Sequence, residues 1–148
     1  MKKFLCLLFI LFSGNIFAWE VKEIVDEFRE PTGKIRILQF DNKKTSYLFV
    51  EKDKEDLIMG FITGYIGGKG ENGTSNIKIK IDNNAPVSSI GKVSKQGNRV
   101  VDFLTPKLLE QMKKGRVMKV VIEKYNDDTI FLIFELNGFS EALEKLYN

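Results

Sequence analysis

Alternation between apolar and polar residues is clearest in the middle of the chain. In "IKIKI", Ile77, Ile79 and Ile81 alternate with Lys78 and Lys80, which predicts a strand with isoleucines facing a core and lysines facing water. Apolar runs between polar turns predict further strands at 34–40, 46–52 and 57–66. The last of these runs is almost entirely apolar, which indicates a central strand covered on both faces.

Two hairpins are predicted in the second half of the chain. The segments "SSIGKVSK" and "RVVDF" can pair across "QGN", and "RVMKVVIEKY" and "TIFLIFEL" flank the turn "NDD". Both faces of the second hairpin carry apolar residues. We therefore expect its second face to be covered as well; that face consists of Val117, Val121, Phe131 and Ile133.

Two short helices are predicted near the C-terminus. In "TPKLLEQMKKG", Thr105 can cap the helix, Pro106 suits its first position and Gly115 suits a left-handed exit. In the closing stretch, Gly138 ends a strand and Ser140 can cap a helix. Helical spacing there gives one apolar stripe, expected to pack on the sheet, that consists of Phe139, Ala142, Leu143, Leu146 and Tyr147.

The predicted fold class is mainly β (β-rich α+β). Short turns favour a single antiparallel sandwich or half-barrel, with the two short helices near its C-terminus. Residues 19–148 are expected to form one domain, because no linker or repeat divides them. The segment "WEVKEIVDEF" fits both helical and strand spacing, so its structure is left open.

The first eighteen residues have the layout of a secretory signal peptide. Lys2 and Lys3 precede an apolar run from Phe4 to Phe12, and cleavage is expected between Ala18 and Trp19. The run is too short to span a bilayer, so we expect no stable membrane span after cleavage. The protein is thus predicted to be periplasmic or secreted.

Cleavage changes the net charge and the cysteine content of the chain. It leaves 21 basic and 20 acidic residues, so the net charge falls from +3 to +1 because Lys2 and Lys3 are removed. A near-neutral chain argues against nucleic acid as a partner. The sole cysteine, Cys6, is also removed, so stability must come from packing and not from disulfides.

Residue types exclude several chemistries. The chain has no histidine, and without Cys6 it has no thiol. Catalysis by Ser-His-Asp or Cys-His, ordinary zinc sites and thiol redox chemistry are therefore excluded. No metal site, cofactor or catalytic residue is predicted. The segments "NDD" and "DNN" are interpreted as turns, not as calcium ligands.

The candidate residues for a binding site lie soon after the predicted cleavage point. Asp26, Glu27 and Glu30 form the densest acidic cluster, which is typical of a solvated face. Asp26, Arg29 and Thr32 are the residues that we select there as candidate binding residues.

Two segments carry a family resemblance. "VDEFREPTGK" (Val25–Lys34) resembles a V-D-x-F-G-x-P-T-G segment of small exported bacterial proteins, with Arg29 in place of the glycine. "FELNGFSEALEKL" (Phe134–Leu146) resembles the ending of exported β-rich families, among them the invasion-associated locus B type and accessory proteins of type VI secretion. The resemblance implies a periplasmic β-sandwich or barrel with terminal helices, and it transfers no catalytic residue.

The leading functional expectation is a non-catalytic binding or interaction module of the cell envelope. Its expected partner is an envelope protein or a cell-wall component. Two alternatives remain open: a carboxylate-dependent hydrolase acting on envelope glycans, which would need two suitably spaced acids, and a β-barrel carrier of a small apolar ligand.

Overall fold

A computed structural model describes residues 19–67 and 73–148. The predicted signal segment, including Ala18, and residues 68–72 lie outside the described residues. Within the described ranges the chain forms the strands β1 (Glu20–Val25), β2 (Pro31–Phe40), β3 (Tyr47–Asp53), β4 (Asp56–Ile62), β5 (Thr74–Ile81), β6 (Val87–Val93), β7 (Arg99–Phe103), β8 (Val117–Glu123) and β9 (Thr129–Glu135). Its helices are α1 (Pro106–Lys114) and α2 (Phe139–Glu144).

The strands form one antiparallel sheet in the order β1-β2-β3-β4-β7-β6-β5-β8-β9. Strands β1 to β4 are a simple meander. β7 then pairs with β4, which places β5 in the interior of the sheet between β6 and β8. The predicted fold class is confirmed, and the architecture is a single curled sheet and not a two-sheet sandwich.

The curl brings the two ends of the sheet together. The Asn42 N–H, in the turn after β2, donates to the Ile133 carbonyl of β9 over 3.0 Å. On the inner face, the rings of Phe61 in β4 and Phe134 in β9 are 5.9 Å apart between centroids. The inner face therefore closes over a core filled by apolar side chains, to which α1 contributes Leu108 and Met112.

The structure confirms most of the signals that predicted helix α1. The Thr105 hydroxyl accepts a hydrogen bond from the Leu108 N–H, and Pro106 occupies the first turn. The exit at Gly115 was predicted wrongly: its φ is −82°, which is an extended conformation. Glycine is needed there for space, because an added Cβ would overlap Ile81 and lie 2.8 Å from the Gln111 carbonyl oxygen.

Helix α2 buries the predicted stripe except at its end. Phe139, Ala142, Leu143 and Leu146 are buried, whereas Tyr147 is 56% exposed. The predicted cap is wrong, because Gly138 (φ 81°) is the N-cap and Ser140 lies within the helix. The Trp19 ring packs against Phe139 with centroids 5.1 Å apart, which ties the start of the domain to this helix.

Three other details sharpen the sequence predictions. The ambiguous segment after Trp19 is a strand, β1. The central strand predicted over 57–66 ends at Ile62, and the chain then turns so that the Ile66 N–H donates to the Gly97 carbonyl. The predicted pairing across "QGN" is confirmed by Lys92 opposite Val101 and Val93 opposite Val100.

Candidate binding groove on the outer face of the sheet

The outer face of the sheet, which points away from the core, is closed over its first half. Phe49 of β3 points outward yet is fully buried. The guanidinium groups of Arg36 and Arg99 each lie 4.8 Å from the centre of its ring. Gly60 on the neighbouring strand leaves the space that the ring occupies.

Glu51 holds the two arginines in place. Its carboxylate lies 3.0 Å from Arg36 and 3.7 Å from Arg99, and the Arg36 and Glu51 side chains are mostly buried. A cation over an aromatic ring is attracted by the ring quadrupole, and shared pairing with a carboxylate orients both guanidiniums. This cluster seals the outer face of β2, β3, β4 and β7.

The second half of the outer face is open and contains a groove of about 470 Å3. It lies over β6, β5, β8 and the start of β9. We call it the outer groove; its lining side chains and backbone belong to Asn76, Ile77, Lys78, Ser88, Ser89, Ile90, Val121, Glu123 and Thr129. Its volume is within the range of small-ligand sites.

Strand register explains why these side chains meet. Lys78 is opposite Ser88 on one side and Val121 on the other, and Val121 is opposite Phe131. Because side chains alternate between faces, these residues share the outer face and form one row across four strands. The short Ser88 side chain leaves room above Lys78.

A second row forms the polar part of the groove. Asn76 is opposite Ile90, and its side-chain amide donates to the Glu123 carboxylate. Glu123 is in turn opposite Thr129. Amide, carboxylate and hydroxyl groups therefore line the floor beside the 66%-exposed Ile90.

Beyond Lys78 the outer face is basic. Lys80 of β5 is directly opposite Lys119 of β8. Among the described residues, the ion pairs involve neither of these lysines nor Lys78. Directly opposed like charges destabilise a sheet, so this arrangement is unfavourable for folding alone.

A smaller hollow of about 180 Å3 continues the groove at its other end. It shares Asn76 and Glu123 with the outer groove and adds Thr74, Ser75, Lys124, Tyr125 and Asp127. Tyr125 packs edge-on against Tyr65 with ring centroids 5.9 Å apart, and both rings are more than half exposed.

The candidate residues selected from sequence lie elsewhere, in the β1–β2 turn. Asp26 accepts hydrogen bonds from the Phe28 and Glu30 N–H groups, each over 2.9 Å. Thr32 donates to the Ile24 carbonyl over 2.6 Å, and Arg29 has a left-handed φ of 65°. The three residues shape an exposed turn, and their role in binding stays a prediction.

The sequence did not predict the groove, because the apolar residues beside it were expected to be covered. Phe131 is 50% exposed and Val121 is only half-buried, so the prediction that both faces of the last hairpin are covered is wrong. The alternation of "IKIKI" placed Lys78 on the outer face correctly. The neighbours of Lys78 depend on long-range pairing that local sequence does not reveal.

The groove offers hydrogen-bonding groups, one lysine and one carboxylate. Glu123 is the single carboxylate among the residues that line the outer groove, and the Asn76 amide binds it. Within the described ranges, no three acidic, histidine or cysteine residues are arranged to hold a metal ion. No helix of the described part of the chain is long and apolar enough to cross a membrane.

A family model matches most of the chain, and a solved structure shares its fold. The family model described as invasion associated locus B (IalB) protein matches residues 37–147. The crystal structure of invasion associated protein B from Bartonella henselae is similar in fold, with a TM-score of 0.57 and 12% sequence identity. That alignment covers 88% of this chain and 96% of the Bartonella chain. Comparison with curated protein sequences gives no significant match. The family match begins at Ile37 within β2 and ends at Tyr147, beyond α2, and on this basis the chain belongs to the invasion associated locus B (IalB) family.

Proposed function

We propose that this protein is exported to the bacterial cell envelope, in the periplasm or outside the cell, and acts there as a non-catalytic binding module. The N-terminal segment supports export, because a basic start, a short apolar run and Ala18 match a signal peptide. Family membership supports a role at the cell envelope.

The observation that carries the binding role is the outer groove. It is open, has a mixed polar and apolar lining, and is centred over β5, which is paired with β6 and β8. Such a concave surface with a few convergent polar groups is the usual form of a ligand site.

Buried and groove-lining residues also argue against the two alternatives, a hydrolase of envelope glycans and a carrier of a small apolar ligand. Hydrolysis by two carboxylates needs a second acid roughly 5 to 9 Å from the first. Glu123 is the single acid among the lining residues of the outer groove, and Asp127, which the smaller hollow adds, is exposed in the β8–β9 turn. A carrier of an apolar ligand needs an interior cavity, and buried side chains such as Phe61, Phe134 and Met118 fill the inner face.

Capture from envelope extract tests the binding role. The protein is expressed with its own N-terminal segment in a Gram-negative host and carries a C-terminal tag. Ser88→Trp places a large ring in the groove without touching the core, and Glu141→Trp makes a matched change on the exposed side of α2. We expect Glu141→Trp to retain the envelope component bound by the parent protein, and Ser88→Trp to lose most of it.

Two results would contradict the proposal. If Ser88→Trp captures as much of the envelope component as the parent protein does, the groove is not the binding site. Turnover of an envelope polymer that Glu123→Gln abolishes would show an enzyme and not a binding module.

Export is tested separately by the N-terminus of the protein recovered from the periplasm or medium. Mass analysis is expected to show a chain that begins at Trp19. A chain that begins at Met1 and stays in the bilayer fraction would refute the predicted cleavage.

A further inference from the structure

We infer that the outer groove binds an anionic glycan, a polysaccharide or oligosaccharide that carries carboxylate or phosphate groups. The inference rests on the proposed function and names the ligand class of the same site. It follows from four features of the groove: its basic end, its polar floor, its exposed aromatic rings and the position of its centre over the interior strand β5.

The basic end of the outer groove should attract a negatively charged group of the ligand. Lys78 lines the groove, and Lys80 and Lys119 follow it on the same outer face. Directly opposite residues on neighbouring strands have Cβ atoms about 5 Å apart, so the Lys80 and Lys119 charges repel each other in the free protein. An anion bound between them removes this repulsion. The Ser88 hydroxyl is opposite Lys78 and can donate to an anionic group further along the groove.

The polar floor suits hydroxyl groups. Asn76 can donate and accept hydrogen bonds, Glu123 accepts them and Thr129 does both. A sugar ring presents hydroxyls that can replace the water on these groups. An acyl chain would instead desolvate them without compensation, which is unfavourable.

Aromatic rings lie at the sides and far end of the groove. Phe131 flanks the Lys78 row, and the Tyr125–Tyr65 pair stands beside the smaller hollow. The electron-rich face of an aromatic ring attracts the polarised C–H bonds on the face of a sugar. From Lys80 to Thr74 the surface extends about 20 Å along β5 at 3.3 Å per residue, which accommodates a linear chain of several sugars.

The position of the groove in the sheet favours a glycan over a peptide as its ligand. A peptide that binds as an added strand needs the free edge of a sheet. The centre of the groove lies over Ile77 to Ile79 of β5, which are paired with β6 on one side and with β8 on the other. No backbone edge is free there, so recognition at the centre must come from side chains. A membrane surface is also a poor match, because the site is concave and has a polar floor.

Equilibrium binding measurements test this inference. The probes are polygalacturonate, which carries carboxylates; lipid-free core oligosaccharide of lipopolysaccharide, which carries phosphates; and neutral dextran. Poly-glutamate and phosphatidylglycerol vesicles represent an acidic peptide and an anionic membrane. The test variant is Lys78→Gln/Lys119→Gln, and the control is Lys43→Gln/Lys107→Gln, which removes two exposed lysines outside the groove.

We expect one of the two anionic glycans to bind, with affinity about tenfold weaker for the test variant than for the control. The binding glycan identifies carboxylate or phosphate as the recognised group. Equal affinity of the two variants, equal binding of dextran, or tighter binding of poly-glutamate or vesicles would each overturn the inference. If no glycan binds but Ser88→Trp still abolishes capture from envelope extract, the glycan assignment fails and the binding module stands. If Ser88→Trp also leaves capture unchanged, the proposed function fails as well.

Discussion

At the scale of single residues, Gly60 shows how close packing seals one half of the outer face. A Cβ added at Gly60 would overlap the ring of Phe49, which lies against the guanidinium groups of both Arg36 and Arg99. Because the ring cannot move aside, we expect Gly60→Ala to lower the free energy of unfolding by about 1–3 kcal/mol. Gly64→Ala is the control, since an added Cβ there meets nothing within 4 Å. Urea denaturation measures both, and equal effects would show that the ring is not confined.

Arg29 is a residue-scale departure from the pattern that its segment resembles. Its φ of 65° lies in the left-handed region, where an L side chain meets a steric penalty and glycine does not. We therefore expect Arg29→Gly to raise the free energy of unfolding by about 0.5–1 kcal/mol. Glu27→Gly, in the same exposed turn, should lower it because flexibility is added without relief of strain. A change of the same sign in both variants would contradict this explanation.

Lys80 and Lys119 are opposite each other, so a substitution that relieves their repulsion should raise stability and weaken anion binding. Lys119→Glu places an acid opposite Lys80, so unfolding free energy should rise by about 0.5 kcal/mol at low ionic strength and the gain should shrink in salt. Lys92→Glu is the control, because Thr74 and Val101 are its opposite neighbours and no cross-strand pair is created. The same Lys119→Glu change should weaken anion binding. A variant that is no more stable than Lys92→Glu would show that the repulsion is negligible.

At the scale of secondary structure elements, α2 is held by its buried stripe. Leu143 is 4% exposed within the core, so Leu143→Ala should lower the free energy of unfolding by about 2–5 kcal/mol through loss of burial and the cavity left behind. Tyr147, at 56% exposure, provides the control, and Tyr147→Ala should cost less than about 1 kcal/mol. Chemical denaturation compares them. Similar losses would mean that the helix does not close the core as described.

The elements also show what local sequence can and cannot predict. Alternation and turn residues located the strands after β1, and the Thr105 cap with Pro106 located α1, because these signals act within a few residues. Gly115 and Ser140 were misassigned because their roles depend on contacts beyond their own segment. Gly115 avoids Ile81 of a distant strand, and Ser140 donates to the Lys113 carbonyl of α1.

At the scale of the whole molecule, topology decides where a site can form. The chain after β4 crosses the sheet so that β5 lies between β6 and β8, a pairing no local pattern specifies. This pairing brings Lys78 beside Val121 and Asn76 beside Glu123. Sequence therefore predicted the fold class and the outward lysines, whereas the groove depends on residues far apart in the chain.

Charge is also distributed unevenly over the molecule. The chain without its first eighteen residues is close to neutral, yet the outer faces of β5, β6 and β8 carry Lys78, Lys80, Lys92 and Lys119 against the single acid Glu123. Segregated charge of one sign attracts ligands of the other sign even when net charge is small. The basic half of the outer face thus gives the molecule one preferred side for an anionic partner.

The most direct test is an amide NMR titration of the protein recovered after expression with its N-terminal segment, with the component identified in the capture experiment. The account predicts that shift changes cluster on β5, β6 and β8, around Asn76, Lys78, Ser88 and Val121, and that Ser88→Trp abolishes them. Changes confined to the β1–β2 turn around Asp26 and Arg29, or to the sealed face around Phe49, would contradict it.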